Sequence, residues 1–319
     1  MKRLLAVLMM CIAFIYTACG ESARDILPGD GNSAGGGDMT APGTSSQPGS
    51  GVSEPLPITS GEVSVPELPE KEYVYLDAGW EYAGNSVINT GCAVLYRART
   101  ERRGVTVAVN AGHGTAGGAG KKTLCHPDGS PKLSGGTTSA GSVYAVAVSA
   151  GMTFFDGTPE SSVTLRAAEL LRDMLLCRGY DVLMLRDGAD VQLDNVARTV
   201  IANNAADCHI SLHWDGDGLK YDKGCFCILP VEKLRGMEPV ARHWQEHELL
   251  GDSLVSALRD SGAKINGSGK MMSDLTQIAY STVPSVDMEL GNAASVHDDT
   301  TLEALARGLA DGVERFFAK

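Results

Sequence analysis

Two rhythms of hydrophobic and polar positions run through this chain from about residue 73 onward. Val105-Thr-Val-Ala-Val109, continuing to Asn110, is a short β-branched run and predicts a strand buried on both faces. Ser86 to Arg99, after the turn signal Asn89-Thr-Gly91, predicts a shorter strand, and Tyr180–Leu185, Cys208–His213, Gly224–Leu229 and Val286–Leu290 predict four more. Between them the spacing turns helical. Apolar residues at 163, 167, 170, 171 and 174 mark one face of a helix that opens at Thr158-Pro-Glu160 and stops at Gly179. Thr158 suits its cap, Pro159 its first turn, and Glu160 the positive end of its dipole. Asp194–Asn204, Val240–Ser261 and Thr301–Phe317 predict three further helices. Strands alternating with helices of this length predict an α/β fold: a single three-layer domain, its mostly parallel β-sheet flanked by helices. Residues 114–159 break the rhythm. They are rich in Gly, Thr and Ser, and a loop of that length inside a compact domain is usually functional.

Composition adds a different N-terminus. Lys2 and Arg3 precede the apolar run Leu4–Ile15, which is well short of the ~20 residues that cross a bilayer. Tyr16-Thr-Ala-Cys19 follows, and small residues before a cysteine suit a lipoprotein signal over 1–18 that leaves a lipidated Cys19; an ordinary cleaved signal ending near Ala18 is the alternative. Of the 51 residues from 20 to 70, 25 are Gly, Ser or Pro. Such a segment buries too little surface to offset its ordering entropy, so 19–72 reads as a flexible tether with a typical span of about 40 Å. Residues 73–104 read as an N-terminal extension of a catalytic domain over 105–319. The formal charge of −12 argues against nucleic acid as a partner. An exported, membrane-tethered, acidic protein points to extracellular substrates on the outer face of the cytoplasmic membrane, and a monomer is the expected state.

Eight cysteines are present, of which Cys11 leaves with the signal and Cys19 carries lipid. Cys177 and Cys208 are expected as buried thiols, and Cys92, Cys125, Cys225 and Cys227 as the ones that pair.

The candidate chemistry lies in four separated residues. His113, His213 and Glu289 each end a predicted strand or follow one closely, and Glu160 opens a helix where the chain re-enters from the same edge. In an open α/β sheet ligands gather at the carboxyl ends of the strands, so all four can meet at one rim. Two imidazoles and a carboxylate leave one tetrahedral zinc position free, and a second glutamate can then handle protons: the set suits a single-zinc hydrolase. A rival lies in His243-Trp-Gln-Glu-His247, which matches the inverted zinc-protease pattern and would make the chain a metallopeptidase using His243, Glu246 and His247. His126 and His297 are expected in loops, with His126 placed to line the cleft.

Five segments, in order, resemble the zinc-dependent N-acetylmuramoyl-L-alanine amidases that cut peptidoglycan. They are Asn110-Ala-Gly-His-Gly114, Glu160 with its helix and Gly179-Tyr-Asp-Val182, Leu193-Asp-Asn-Val-Ala-Arg198, Ser211-Leu-His213, and Val283-Pro284 through Glu289-Leu-Gly291. The resemblance covers roughly 105–317. It implies that His113, Glu160 and His213 bind one zinc ion, that Glu289 is the general base and acid, and that the bond cut joins N-acetylmuramic acid to L-alanine. Asn110-Ala111 stands where the family has Asp-Pro, and Trp214-Asp215 where it has Ala-Asn. A second rival keeps the scaffold without the catalysis, as a cell-wall-binding lipoprotein.

Overall fold

A computed structural model describes residues 70–318. The signal, Cys19 and nearly all of the tether lie outside the described residues. The strands are β1 (Lys71–Tyr75), β2 (Cys92–Tyr96), β3 (Thr106–Ala111), β4 (Lys122–Leu124), β5 (Tyr144–Val146), β6 (Asp181–Met184), β7 (Cys208–Asp215), β8 (Cys225–Pro230), β9 (Ile265–Ser273) and β10 (Ser285–Asn292). The helices are α1 (Glu160–Cys177), α2 (Asn195–Ala205), α3 (Trp244–Asp260), the short α4 (Thr276–Ala279) and α5 (Asp299–Phe317).

Eight strands form one sheet in the order β1-β2-β6-β3-β7-β10-β8-β9. The central block β6-β3-β7-β10 is parallel, as is the β8–β9 pair, while β1, β2 and β8 join their inner neighbours antiparallel. Alternation along the central strands sorts the layers. Val107 and Val109 pack with α1 (Val163, Ala167, Leu171), α3 (Leu250, Leu254) and α5 (Leu305, Leu309). Ala108 faces the other way, toward α2 through Ala197 and Ile201. The result is the three-layer α/β arrangement that the alternation of elements predicts.

Ahead of β3, β2 and β1, which begins at Lys71, extend the sheet beyond β6. Edge strands escaped the pattern: β1 and β9 are the outermost strands, and Ile265-Asn-Gly-Ser-Gly-Lys-Met-Met-Ser273 has no alternating apolar face. Only Gly269 and Ser273 of β9 are buried, so the strand has no apolar face to present to the core. The expected helix Val240–Ser261 begins instead with a 3₁₀ turn at Val240–Arg242 before α3. Pro159, not Thr158, occupies the N-cap of α1, without a side-chain cap bond. The insert 114–159 contains the β4–β5 hairpin.

The cysteine reading holds for Cys208, a buried free thiol, and fails elsewhere. Cys177 is exposed at the last position of α1. Cys92, Cys125, Cys225 and Cys227 carry free thiols. Cys225 and Cys227 lie in the core under α3, where Cys227 Sγ fills the space a side chain at Gly251 would need.

Two histidines inside this fold are neutral by necessity. His209 and His247 are fully buried, and burial pushes both down to about 3. His247 Nδ1 accepts the Ser285 amide at 2.9 Å, a bond only the unprotonated nitrogen can make. At these two histidines the unfolded chain binds more protons than the folded one between about pH 6.5 and pH 3, so they lower stability as pH falls through that window. Two such groups together contribute a loss of about 3 kcal/mol between pH 6.5 and pH 5. Urea unfolding of wild type and His209→Asn at pH 7, 6 and 5 should show wild type losing more stability on acidification than the variant; equal declines would contradict the neutral-histidine assignment.

Candidate active site

His113 follows β3 at once and takes a left-handed backbone conformation, φ 65°. The sequence makes room for it. A Cβ on Gly112 would fall 2.2 Å from the His213 ring, so only glycine lets β3 and β7 approach this closely. Glu160 is the first residue of α1, and His213 lies on β7. Their polar atoms converge: His113 Nε2 to Glu160 Oε1 is 2.9 Å, His213 Nδ1 to Glu160 Oε1 is 3.2 Å, and His213 Nδ1 to His113 Nε2 is 3.0 Å. Ligands at tetrahedral angles and zinc bond lengths of about 2.0–2.1 Å stand about 3.3 Å apart. The triangle therefore has the dimensions of a metal's ligand set, and these three form a group that can hold an ion.

Second partners fix each of the three. His113 Nδ1 donates to the Ser149 carbonyl at 2.9 Å, which leaves Nε2 with a free lone pair facing the triangle. Glu160 Oε2 accepts the Met152 amide at 2.8 Å, and Oε1 accepts the Trp214 amide at 3.0 Å. Behind the loop stand two buried arginines. Arg198 donates to the carbonyls of Ala111 and His113 and to Asn110 Oδ1, and Arg186 to the carbonyls of Ala111 and Gly112. Burial pulls Arg186 down to about 10 and Arg198 to about 9, so both stay charged near neutrality.

Parallel pairing places Glu289 directly beside His213, and Asp287 beside Ser211 on the same face. Asp287 lies 3.8 Å from His213 Nε2 and accepts from Gln277 Nε2 at 3.3 Å. One oxygen of each, Asp287 Oδ1 and Glu289 Oε2, is buried without a hydrogen-bond partner.

Three carboxylates thus crowd two imidazoles. Burial, and then the neighbouring Asp287, raise Glu289 well above its ordinary range; burial pushes Asp287 up to about 6. Burial alone would raise Glu160 too, but hydrogen bonds with His113 and His213 outweigh it and hold its carboxyl low. His213 is driven the other way: burial opposes its charge, yet Asp287 and Glu160 raise it to about 10, while burial lowers His113. A proton on His213 is the positive charge this set draws in. A divalent cation on the triangle supplies more, with both imidazoles neutral, so the donor set fits a metal on grounds of geometry and charge together.

A cavity of about 570 Å³ opens over the triangle. One wall comes from the insert, through Lys132, Gly135–Thr138 and Ser149–Met152; the other comes from Trp214–Gly216 and Gln277. A buried aspartate pins the insert in place. Asp274, just past β9, accepts from Lys132 Nζ at 3.1 Å and from the Ser134 amide at 2.9 Å, and lies 3.0 Å from His126 Nε2. His126 is fully buried in that anchor and does not line the cleft.

The rival His243–His247 pair does not converge. The rings are 6.5 Å apart, and Nδ1 of the buried His247 is occupied by the Ser285 amide. His297 sits in a loop, stacked on Phe154. Sequence reasoning passed over Asp287, Gln277 and Ser149. For Asp287 a signal existed: a charged residue two positions before Glu289 shares its face of a strand.

A family model described as N-acetylmuramoyl-L-alanine amidase matches residues 107–315. Among solved structures, the amidase Ami1 of Mycobacterium smegmatis superposes with a TM-score of 0.55 at 19% identity, covering 67% of this chain and 97% of that one. Ami1 of Mycobacterium abscessus gives 0.53 at 21%, covering 67% and 99%, and AmiC2 of Nostoc punctiforme gives 0.50 at 15%, covering 68% and 99%. At these identities the structures establish the shared fold. No curated protein matches the chain. With the family model spanning most of the chain, and the fold in agreement over the whole length of those domains, the chain belongs to the N-acetylmuramoyl-L-alanine amidases, which hydrolyse the amide bond between N-acetylmuramic acid and L-alanine in peptidoglycan.

Proposed function

We propose that this amidase is a zinc enzyme in which His113, Glu160 and His213 hold one ion and Glu289 moves the protons. The observation that supports this most directly is the ligand triangle, with its three polar atoms 2.9–3.2 Å apart. Zinc held there would supply Lewis acidity, polarising the lactyl carbonyl and making water a nucleophile near neutral pH. Glu289 stands one strand over from His213, in register, with Oε2 unpartnered and the cavity in front of it. It would take the proton of the attacking water, then deliver it to the departing nitrogen of L-alanine as the C–N bond breaks. The products are a lactyl carboxylate on the glycan and a free amino terminus on the stem peptide.

Ser149 and Met152 tie the insert to two of the proposed ligands, and Asp274 ties its other end to the sheet. We read it as a fixed wall of the substrate cleft. Peptidoglycan lies outside the cytoplasmic membrane, so the enzyme acts there. Among the described residues no helix is long and apolar enough to cross a membrane. A lipid on Cys19 and the 19–72 tether would hold the catalytic head, as a monomer, on the outer face of the cytoplasmic membrane. All four proposed site residues line one cavity, which favours catalysis over a purely wall-binding role.

Zinc content and newly released L-alanine amino termini, measured together on peptidoglycan, test these roles. His213→Ala should lose both zinc and activity. Glu289→Gln should keep one zinc per chain and lose about 10²–10⁴-fold in rate. His243→Ala should change neither, and loss of zinc in that variant would restore the metallopeptidase reading. A Glu289→Gln protein active at the wild-type rate would remove Glu289 from the mechanism.

Gly112→Ala isolates the packing requirement. Its Cβ would overlap the His213 ring, so the variant should melt as a folded protein yet bind zinc at least tenfold more weakly, the scale on which misoriented ligands act. Chelator competition on the purified variant reads this directly, and unchanged affinity would show that the ring has room to move.

A further inference from the structure

We infer that Asp287 is a positioning residue for the cation site, orienting His213 from the side of the ring that faces away from the ion. The inference rests on the zinc reading above and adds a residue to it. His113 and His213 are held differently. The outward nitrogen of His113, Nδ1, is fixed by the Ser149 carbonyl at 2.9 Å. His213 turns Nδ1 into the triangle, so its Nε2 carries the outward hydrogen, and Asp287 Oδ2 stands 3.8 Å from it. Among the described residues His213 is the only ion-pairing partner that Asp287 has.

Asp287 is costly where it stands. It is 4% exposed, on a strand whose neighbouring positions Val286 and Met288 are packed in the core. Gln277 serves Oδ2 at 3.3 Å, and Oδ1 is buried without a partner. An apolar residue would spare that desolvation cost. What an apolar residue cannot do is act on the imidazole. A carboxylate behind a ligating histidine selects the tautomer that presents Nδ1, fixes the ring plane and makes the ligand more basic; removing such a partner typically weakens metal binding 10–100-fold. Asp287 faces the cavity without joining the triangle, as Glu289 does on the same strand face.

The test is the zinc dissociation constant of the full chain, by chelator competition, for wild type, Asp287→Asn, Asp287→Leu and Gln277→Leu, with thermal melting as the control for folding. Asp287→Leu should bind zinc about 10–100-fold more weakly, and Asp287→Asn, which keeps a polar oxygen facing the ring but loses the charge, should fall between it and wild type. Gln277→Leu should stay within about threefold of wild type, because it leaves the carboxylate facing the ring. Cobalt(II)-substituted protein supplies a readout that packing alone would not move: the visible d–d bands should shift in both Asp287 variants and stay in place in Gln277→Leu. Wild-type zinc affinity and unchanged cobalt bands in Asp287→Leu would overturn the inference while leaving the zinc reading intact. If Asp287→Leu fails to fold, the isosteric Asp287→Asn decides in the same way. A wild-type protein that binds no zinc would overturn both.

Discussion

The parallel register of β7 against β10 sets the geometry of the cleft. Glu289 faces His213 across that pairing, and Asp287 faces Ser211. Side chains alternate along a strand, so a slip of one residue would turn Asp287 and Glu289 into the layer occupied by α1, α3 and α5 and bring Val286, Met288 and Leu290 to the cleft. Both faces of β10 thus speak for one register: the apolar set is stable only in the core, and the acidic set only beside the imidazoles. β3 is locked to the same frame from the other side, pairing with β7 until Gly112, whose bare Cα lets the His213 ring pass over it. The requirement for catalytic geometry and the requirement for a buried core are met by the same hydrogen-bond ladder.

The insert between His113 and Glu160 is part of that frame. It is anchored twice. At one end Asp274 gathers His126, Lys132 and Ser134, with a carboxyl held low because these donors outweigh its burial. At the other, Ser149 and Met152 meet His113 and Glu160. A segment that contributes a hydrogen bond to each of two proposed ligands cannot swing away without loosening them. Gly151 makes the second anchor possible, since its φ of +84° and the absence of a Cβ let the chain lie against the His113 ring and the Glu160 carboxylate.

Much of this was legible in the chain. The buried run before His113, the helix opened by Glu160 and the alternation Val286-Asp-Met-Glu289 announce strand, helix and strand ends at one rim, and the structure brings all four named residues to a single cavity. What escaped was set by contacts distant in sequence. β1 and β9 have one neighbour each and so lack the pattern of a doubly buried strand. His126, read as a lining of the cleft, is instead consumed by Asp274, 148 residues away. The four cysteines expected to pair are separate thiols, because nothing in their spacing encodes that Cys225 and Cys227 face the helix α3. The motif-like His243–His247 spacing illustrates the converse: a pattern fits, while burial and one backbone amide decide against it.

The arginines explain why the site can afford its strain. His113 is a non-glycine residue in the left-handed region, a conformation that costs about 1–2 kcal/mol. Arg198 is almost wholly buried and spends all its N–H directions locally: Nε on the Leu193 carbonyl, one terminal nitrogen on Asn110 and Ala111, the other on the His113 carbonyl and Thr115. A lysine has three donors on a rotating head and could not serve that set, whereas the planar fork of a guanidinium presents five in fixed directions. The same arrangement accounts for Asn110 where the family has aspartate. An amide can accept from Arg198 and donate to Ser211 at once, as Asn110 does, while a carboxylate could only accept. Asn110 therefore carries the hydrogen-bond chain from Arg198 on to Ser211 of β7.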